Sequence, residues 1–276
     1  MAQALERSGI GEIGRPRKRT RLSSVANSLR LIKAFSEDHY EIGISDLAKR
    51  LGLAKSTVHR LASTLLDQGM LEQNAGDGKY HLGLALFELG TLVRRKMDFT
   101  QEARPLLRSV LEKTGETVHL AILDHDSVLY LISMESRQAL RMGSKVGTRA
   151  PVHATAAGKA LLAFQPEEEI ARVIARGLPP STPNTVVDAK RLVRELALVR
   201  TRNYATDDEE SEVGLRSIAA PIRNDSGGVI AAISIAGPVQ RMTQKTLLGW
   251  TRELVGAAEA VSQRLGWPKS RASARS

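Results

Sequence analysis

The chain has 276 residues, 42% of them hydrophobic, which is enough to bury more than one core and favours about two domains. It has no cysteine, which excludes disulfides, thiolate metal sites and a cysteine nucleophile and favours a reducing cytoplasm, and it has no apolar run long enough for a membrane span. The net charge of +10 comes mainly from basic tails at residues 1–21 and 266–276, since residues 22–82 carry equal numbers of acidic and basic side chains.

The first 21 residues form a basic arm that we expect to be disordered. It contains the run Arg15-Pro16-Arg17-Lys18-Arg19-Thr20-Arg21. Arg17 and Arg19 are candidates for contacts with phosphates or with the minor groove of DNA. A solubilising tail explains the same composition, so both interpretations stay open.

Residues 44–71 predict a helix-turn-helix, because two amphipathic helical segments flank the turn Gly52-Leu53-Ala54. The apolar stripes of the two helices are Leu47, Ala48 and Leu51, then Val58, Leu61, Ala62, Leu65 and Leu66. The first turns of the second helix are polar, with Lys55, Ser56, Thr57, His59 and Arg60. A recognition helix presents such side chains to bases and phosphates in the major groove. The alternative is an ordinary helical hairpin with a solvated polar face.

The segments around this motif extend it to a winged helix-turn-helix over residues 22–84. A preceding helix begins at Ser24, and its Val25, Leu29, Ile32 and Phe35 are expected to close a three-helix core. Behind the motif, a turn over 74–78 separates two short strands and predicts a hairpin wing. Lys79 at the wing tip is a candidate contact with the sugar-phosphate backbone.

A linker helix over residues 85–99 is predicted to lead into a second domain over 100–265, followed by the basic tail. The apolar stripe of the linker, Leu86, Leu89 and Val93, is a candidate dimer contact. The second domain should begin with a helix capped by Thr100. It continues with strands at 118–122 and 128–131, helices at 157–164, 167–176 and 189–201, a hairpin of 217–222 with 229–235, and a long helix over 243–265. Hairpin strands with helices between them indicate an α+β fold.

Several stretches together resemble the IclR family of bacterial transcriptional regulators. They are SVANSLRLIKAF, GISDLAKRLGLAKSTVHRLASTLLDQGML and KYHLG in the first domain, and HATAAGKALLA, NYATDDEESEVGLRSIAAPI and AAISIAGP in the second. The resemblance implies a GAF-like effector-binding domain and homodimers that often pair into tetramers. It also implies small metabolites, often carboxylates, that change the affinity for a double-stranded DNA operator.

The resemblance places effector contacts at Met142, Ala156, Ala157, Asp207, Leu215, Ser217 and Ser234. Small residues at Ala156, Ala157 and Gly158, where a helix begins, are expected to seat a carboxylate on backbone N–H groups. Ser217 and Ser234 would offer hydroxyls across the pocket, while Asp207 would accept a hydrogen bond from the ligand or hold its loop. Apolar walls are expected from Met142, Leu215 and Ala236.

The identity of the effector stays open, because this chain departs from the glyoxylate-responsive pattern of the family. Ala156 replaces a glycine, Ser217 a cysteine and Ala236 the second serine of an ISIS stretch. An aromatic acid is therefore as reasonable as a keto acid. The sequence predicts a ligand-responsive regulator that binds an inverted-repeat operator.

Two other kinds of site are weighed against this prediction. A serine-type hydrolase would need Ser217 or Ser234 beside a base such as His153, and the chain has no G-x-S-x-G nucleophile elbow. The acidic run Asp207-Asp208-Glu209-Glu210 resembles a cation site, but adjacent acids in a loop or at a helix cap are far commoner. No metal, no cofactor and no enzymatic activity are expected.

Overall fold

In a computed structural model, the described parts of the chain are residues 24–36, 38–95, 97–141 and 143–268, without the side chains of residues 94 and 95. The proposed DNA contacts Arg17 and Arg19, the proposed effector contact Met142 and most of the basic C-terminal tail lie outside them. The chain divides into two compact units, residues 1–96 and 97–276.

The first unit is a three-helix core with a two-stranded wing and a following helix. Its elements are α1 (Ser24–Ile32), α2 (Ile44–Leu51), α3 (Lys55–Asp67), β1 (Leu71–Gln73), β2 (Tyr80–Leu82) and α4 (Leu84–Arg95). The apolar stripes predicted for α2 and α3 pack together in one core, which confirms the helix-turn-helix. Gly52 ends α2 at φ +66°, a left-handed conformation that favours glycine.

The face that α1 buries differs from the predicted one. Leu31 is fully buried, with Ile32 and Phe35 packed beside the core, whereas Val25 and Leu29 are 70% and 54% exposed. Several faces of this short helix carry apolar residues, so its periodicity does not select the buried face. Its position against α2 and α3 selects Leu31.

The second unit has a six-stranded sheet with helices on both faces. Its helices are α5 (Phe99–Thr114), α6 (Ala156–Leu162), α7 (Glu167–Ala175), α8 (Ala189–Arg202) and α9 (Gln244–Arg264). Its strands are β3 (Thr117–Asp124), β4 (Ser127–Met134), β5 (Arg149–Pro151), β6 (Ala205–Asp208), β7 (Leu215–Arg223) and β8 (Val229–Pro238). The strand order is β5-β4-β3-β8-β7-β6, with antiparallel neighbours. The predicted α+β class is confirmed.

The two faces of this sheet differ in side-chain size. One carries large residues such as Leu120, Ile218 and Ile233, which pack against α5 and α9. The other carries Ala121, Ala219 and Ala232, which pack against α6, α7 and α8. Small side chains let α6 approach the sheet closely, and the candidate ligand cavity lies on this second face.

Some details of the second unit were not predicted. The edge strands β5 and β6 were missed, because a strand of three or four residues gives little periodicity. Thr100 does not cap α5, which begins one residue earlier at Phe99. The predicted cap of α8 is confirmed, since the Asp188 side chain accepts a hydrogen bond from the Arg191 backbone N–H at 2.7 Å.

Candidate functional site

The polar side of α3 is the candidate DNA-binding surface of the first unit. Val58, Leu61, Ala62 and Leu65 are buried, which leaves Lys55, Ser56, His59 and Arg60 exposed and Thr57 half-buried. The N-cap residue is Ala54, which has no side-chain acceptor, and the first turn holds no acidic residue. The positive end of the helix dipole is therefore open to an anion such as phosphate.

Lys79 lies at the wing, where β1 and β2 pair with Gln73 opposite Tyr80. Its Nζ lies 2.7 Å from Asp77 Oδ2, and both side chains are exposed. This ion pair raises the pKa of Lys79 and lowers that of Asp77. A phosphate contact by Lys79 would compete with Asp77, so Lys79 is a weaker candidate than Arg60.

The second unit contains a cavity of about 160 Å³ on the small-residue face of its sheet. Strand pairing brings predicted residues together there: Ser217 stands opposite both Ala236 and Asp207. The proposed effector contacts that line the cavity are Ala157, Asp207, Leu215, Ser217, Ser234 and Ala236.

The cavity lining does not include Ala156 or Gly158, and the backbone contacts expected there stay a prediction. Ala156 is fully buried in the core between α6 and the sheet. The Gly158 N–H donates to Thr155 Oγ1 at 3.1 Å, so this amide is not available to a carboxylate. A Cβ on Gly158 would lie 2.1 Å from the carbonyl oxygen of Val152, which shows that the glycine permits close packing.

Asp207 holds the loop that follows β6, one of the two roles considered for it. Its Oδ1 accepts hydrogen bonds from the backbone N–H groups of Glu210 and Ser211. Its Oδ2 accepts from the hydroxyls of Ser211 at 2.5 Å and Ser217 at 3.3 Å. Burial raises the pKa of Asp207 despite these hydrogen bonds. Both oxygens are engaged, so the carboxylate has little capacity left for a ligand.

The other acidic residues of the run 207–210 each bind a different partner, as in a structured loop. Asp208 pairs with Arg216 at 2.5 Å, and Glu209 Oε2 accepts from the Gly214 N–H at 2.9 Å. Glu210 pairs with the buried Lys159 at 2.7 Å. Among the described residues, no cluster of three or more His, Cys, Asp or Glu side chains is suited to a metal ion.

Sequence reasoning missed His119, Tyr130, Arg149 and Thr155, which also line the cavity. His119 stands opposite Ser234 on neighbouring strands, a pairing that no local motif reveals. Its Nε2 accepts a hydrogen bond from the Ser144 N–H at 3.1 Å. Burial lowers the pKa of His119 to about 4, so the ring is neutral at pH 7.

His153 is not placed to act as a base for the cavity serines. It lines a separate cavity of about 330 Å³ whose lining includes neither Ser217 nor Ser234. Its Nε2 lies 3.0 Å from the carbonyl oxygen of Pro179. The arrangement does not support a serine hydrolase.

In the described part of the chain, no helix is long and apolar enough to cross a membrane.

Comparisons with known proteins agree with this two-part organisation. Residues 24–75 match the family described as "IclR helix-turn-helix domain", and residues 91–263 match "Bacterial transcriptional regulator IclR C-terminal". The HTH-type transcriptional regulator XynR of Escherichia coli is 37% identical over 249 residues, covering 90% of this chain and 98% of that protein. The regulator KdgR of Dickeya chrysanthemi is 36% identical, covering 89% of this chain and 81% of that protein.

Solved structures show the same likeness. An IclR homolog from Microbacterium hydrocarbonoxydans, complexed with 4-hydroxybenzoate, superposes with a TM-score of 0.78 and 33% identity, covering 88% of this chain and 99% of that one. The IclR of Thermotoga maritima superposes with a TM-score of 0.73 and 29% identity, covering 88% and 99% of the two chains.

Proposed function

This chain belongs to the IclR family of bacterial transcriptional regulators, and we propose that it binds an inverted-repeat operator and changes its DNA affinity when an organic acid occupies the cavity of its second unit. Its relatives are named as regulators and repressors, so it is a regulator and not an enzyme. The cavity, which brings hydroxyls and apolar side chains together, is the observation that carries the proposal. We expect the protein to act in the cytoplasm, where bacterial DNA lies.

The DNA contact is assigned to the exposed side of α3, with Arg60 and Thr57 at its centre. If Arg60 contacts a guanine through both of its terminal nitrogens, Arg60→Ala should weaken operator binding by about 1 to 3 kcal/mol and relax specificity at one position of each half-site. A phosphate contact would instead weaken binding evenly across sequences. Arg202→Ala, which removes an exposed arginine of the second unit, is the matched control.

The assay is a mobility shift with DNA from the promoters that flank the gene, beside random DNA of equal length. Salt titration separates the two kinds of contact, because a lost phosphate contact reduces the salt dependence of binding. Unchanged affinity of Arg60→Ala for both DNAs would remove Arg60 from the interface.

The dimer contact is assigned to α4, with a second copy of the chain as its partner. The α4 side chains Leu84, Phe87, Leu89, Leu92 and Val93 are exposed, whereas Leu86 of the predicted stripe is half-buried. A helix with this much exposed apolar surface favours association, and a two-fold operator requires a two-fold protein. The alternative oligomeric state is a tetramer formed by two such dimers.

Light scattering tests this assignment. Leu92→Glu should shift the protein toward monomer and weaken operator binding, while Leu198→Glu, at an exposed leucine of α8, should leave both unchanged. A monomeric parent protein with one copy per operator would contradict the assignment.

The effector is proposed to be an aromatic or keto acid. The structural relative from Microbacterium hydrocarbonoxydans holds 4-hydroxybenzoate, which makes this acid a suitable first probe. In this chain, Leu215 and Ala236 supply apolar surface, and Ser217 and Ser234 supply hydroxyls. Small apolar pockets with a few placed polar groups are typical of metabolite sites.

The test measures thermal stability and operator binding with 4-hydroxybenzoate, benzoate and pyruvate. Binding of one acid per subunit should raise the melting temperature and change operator affinity. Ser234→Ala should weaken the response several-fold, since a ligand hydrogen bond contributes about 1 kcal/mol. Ser262→Ala, at a buried serine of α9, controls for general destabilisation. No response of the parent protein to any acid would contradict this effector class.

A further inference from the structure

His119 is a buried residue of the cavity wall, and one of its ring nitrogens has no partner in the described structure. His119 is only 2% exposed, and it lines the cavity beside Ser234. Nε2 accepts the Ser144 N–H, whereas Nδ1 is buried and has no hydrogen-bond partner among the described residues. Buried polar atoms in folded proteins nearly always have partners, so Nδ1 requires an explanation.

The bond to Ser144 fixes which nitrogen carries the proton. Because Nε2 accepts a hydrogen bond, it cannot carry the hydrogen of a neutral imidazole. The low pKa of His119 keeps the ring neutral at pH 7. The hydrogen therefore lies on Nδ1, which makes this atom a buried donor without an acceptor in the described part of the chain.

The ring cannot turn to find an acceptor elsewhere. The Tyr130 ring packs against it with centroids 5.0 Å apart. Gly143 lies so close that a Cβ there would be 2.8 Å from His119 Cε1. A flip of the ring would also deprive the Ser144 N–H of its acceptor. The ring is thus held in place in the cavity wall.

The surrounding groups define what such a donor can bind. The Ser234 hydroxyl, on the strand beside His119, has no side-chain partner within the described chain, while both oxygens of Asp207 are engaged. Arg149 also lines the cavity, and its guanidinium pairs with Asp124. At this point of the wall an acceptor oxygen would pair with Nδ1–H, whereas an ammonium group would place donor against donor.

We propose that His119 Nδ1–H, together with the Ser234 hydroxyl, binds an acceptor oxygen of the organic-acid effector. This proposal rests on the proposed effector cavity. It adds a specific contact, made by a residue that the sequence did not mark.

Two amide substitutions distinguish the roles of the two ring nitrogens of His119. In His119→Asn, the shorter side chain places an N–H near the position of Nδ1 and loses the acceptor for Ser144. In His119→Gln, the longer side chain reaches the Nε2 position, keeps the acceptor for Ser144 and loses the Nδ1 donor. The proposal expects His119→Gln to weaken binding of the acid that binds the parent protein by about tenfold or more, and His119→Asn by about threefold or less.

Binding is measured by calorimetry with 4-hydroxybenzoate, benzoate and pyruvate as probes, and the folding of each variant by circular dichroism and thermal melting. A purely structural role for His119 predicts the reverse order, with His119→Asn more impaired because the Ser144 bond is lost. That order, or equal binding by both variants and the parent protein, would overturn the proposal.

Nitrogen-15 NMR of the parent protein gives a readout that does not depend on the variants. Free protein should show His119 protonated at Nδ1 and not at Nε2, and a bound acid should shift the Nδ1–H resonance. Protonation at Nε2, or no shift with any of the three acids at millimolar concentration, would overturn the proposal. The mobility-shift assay decides DNA binding separately, so failure here is distinguishable from failure of the regulatory function.

Discussion

Gly158→Ala tests the conclusion that this glycine permits close packing at the start of α6. A Cβ at Gly158 would lie 2.1 Å from the Val152 carbonyl oxygen, 2.6 Å from Val152 Cα and 2.7 Å from Thr155 Oγ1. Contacts below 3.0 Å require something to shift, and ordinary contact begins near 3.4 Å. Two of these three atoms are backbone atoms of Val152, so α6 and the preceding segment would have to move apart.

The expected magnitude follows from two opposing effects. Alanine in place of glycine stabilises an open helix position by about 1 kcal/mol. Overpacking of a core destabilises by about 1 to 3 kcal/mol, and a clash with backbone places this site at the upper end. The net expectation is a destabilisation of about 2 kcal/mol, which lowers the melting temperature of a domain of this size by roughly 4 to 8 °C.

Tryptophan fluorescence during urea unfolding measures this change in the second unit alone, because both tryptophans of the chain, Trp250 and Trp267, lie there. Gly256→Ala is the matched control, since Gly256 lies inside α9 and a Cβ there meets nothing within 4 Å. It should stabilise the unit by up to about 1 kcal/mol. If Gly158→Ala is as stable as the parent protein, the packing argument is wrong.

Two further predictions concern buried titratable groups of the second unit. Lys159 pairs with Glu210 at 2.7 Å and with Glu195 at 3.1 Å, so Lys159→Met should destabilise by about 3 to 5 kcal/mol, with partial recovery when Glu210→Gln is added; a double-mutant cycle in urea without coupling would refute this. His119 has a folded pKa of about 4 against 6.5 for the free residue. The unfolded chain therefore binds more protons between pH 6.5 and 4, and stability should fall by up to about 3 kcal/mol as the pH falls through this window. Buried carboxyls with raised pKa, such as Asp207, act in the opposite direction. The effect of His119 is therefore the difference between the parent protein and His119→Asn, and identical pH profiles would contradict it.

The sequence by itself determined the elements whose signals are local. The stripes of α2 and α3 and the turn at Gly52 follow from interactions between residues three or four positions apart and from one left-handed backbone position. The cap of α8 at Asp188 is local in the same sense. For these elements, any tertiary context that buries the apolar stripe gives the same structure.

Tertiary structure alone decided which residues meet at the cavity. His119 and Ser234 are far apart in sequence and become neighbours only because β3 pairs with β8. Asp207 accepts a hydrogen bond from the Ser217 hydroxyl because β6 pairs with β7. A single sequence does not carry strand order or the buried face of a short helix, because both depend on which distant surfaces exclude water together.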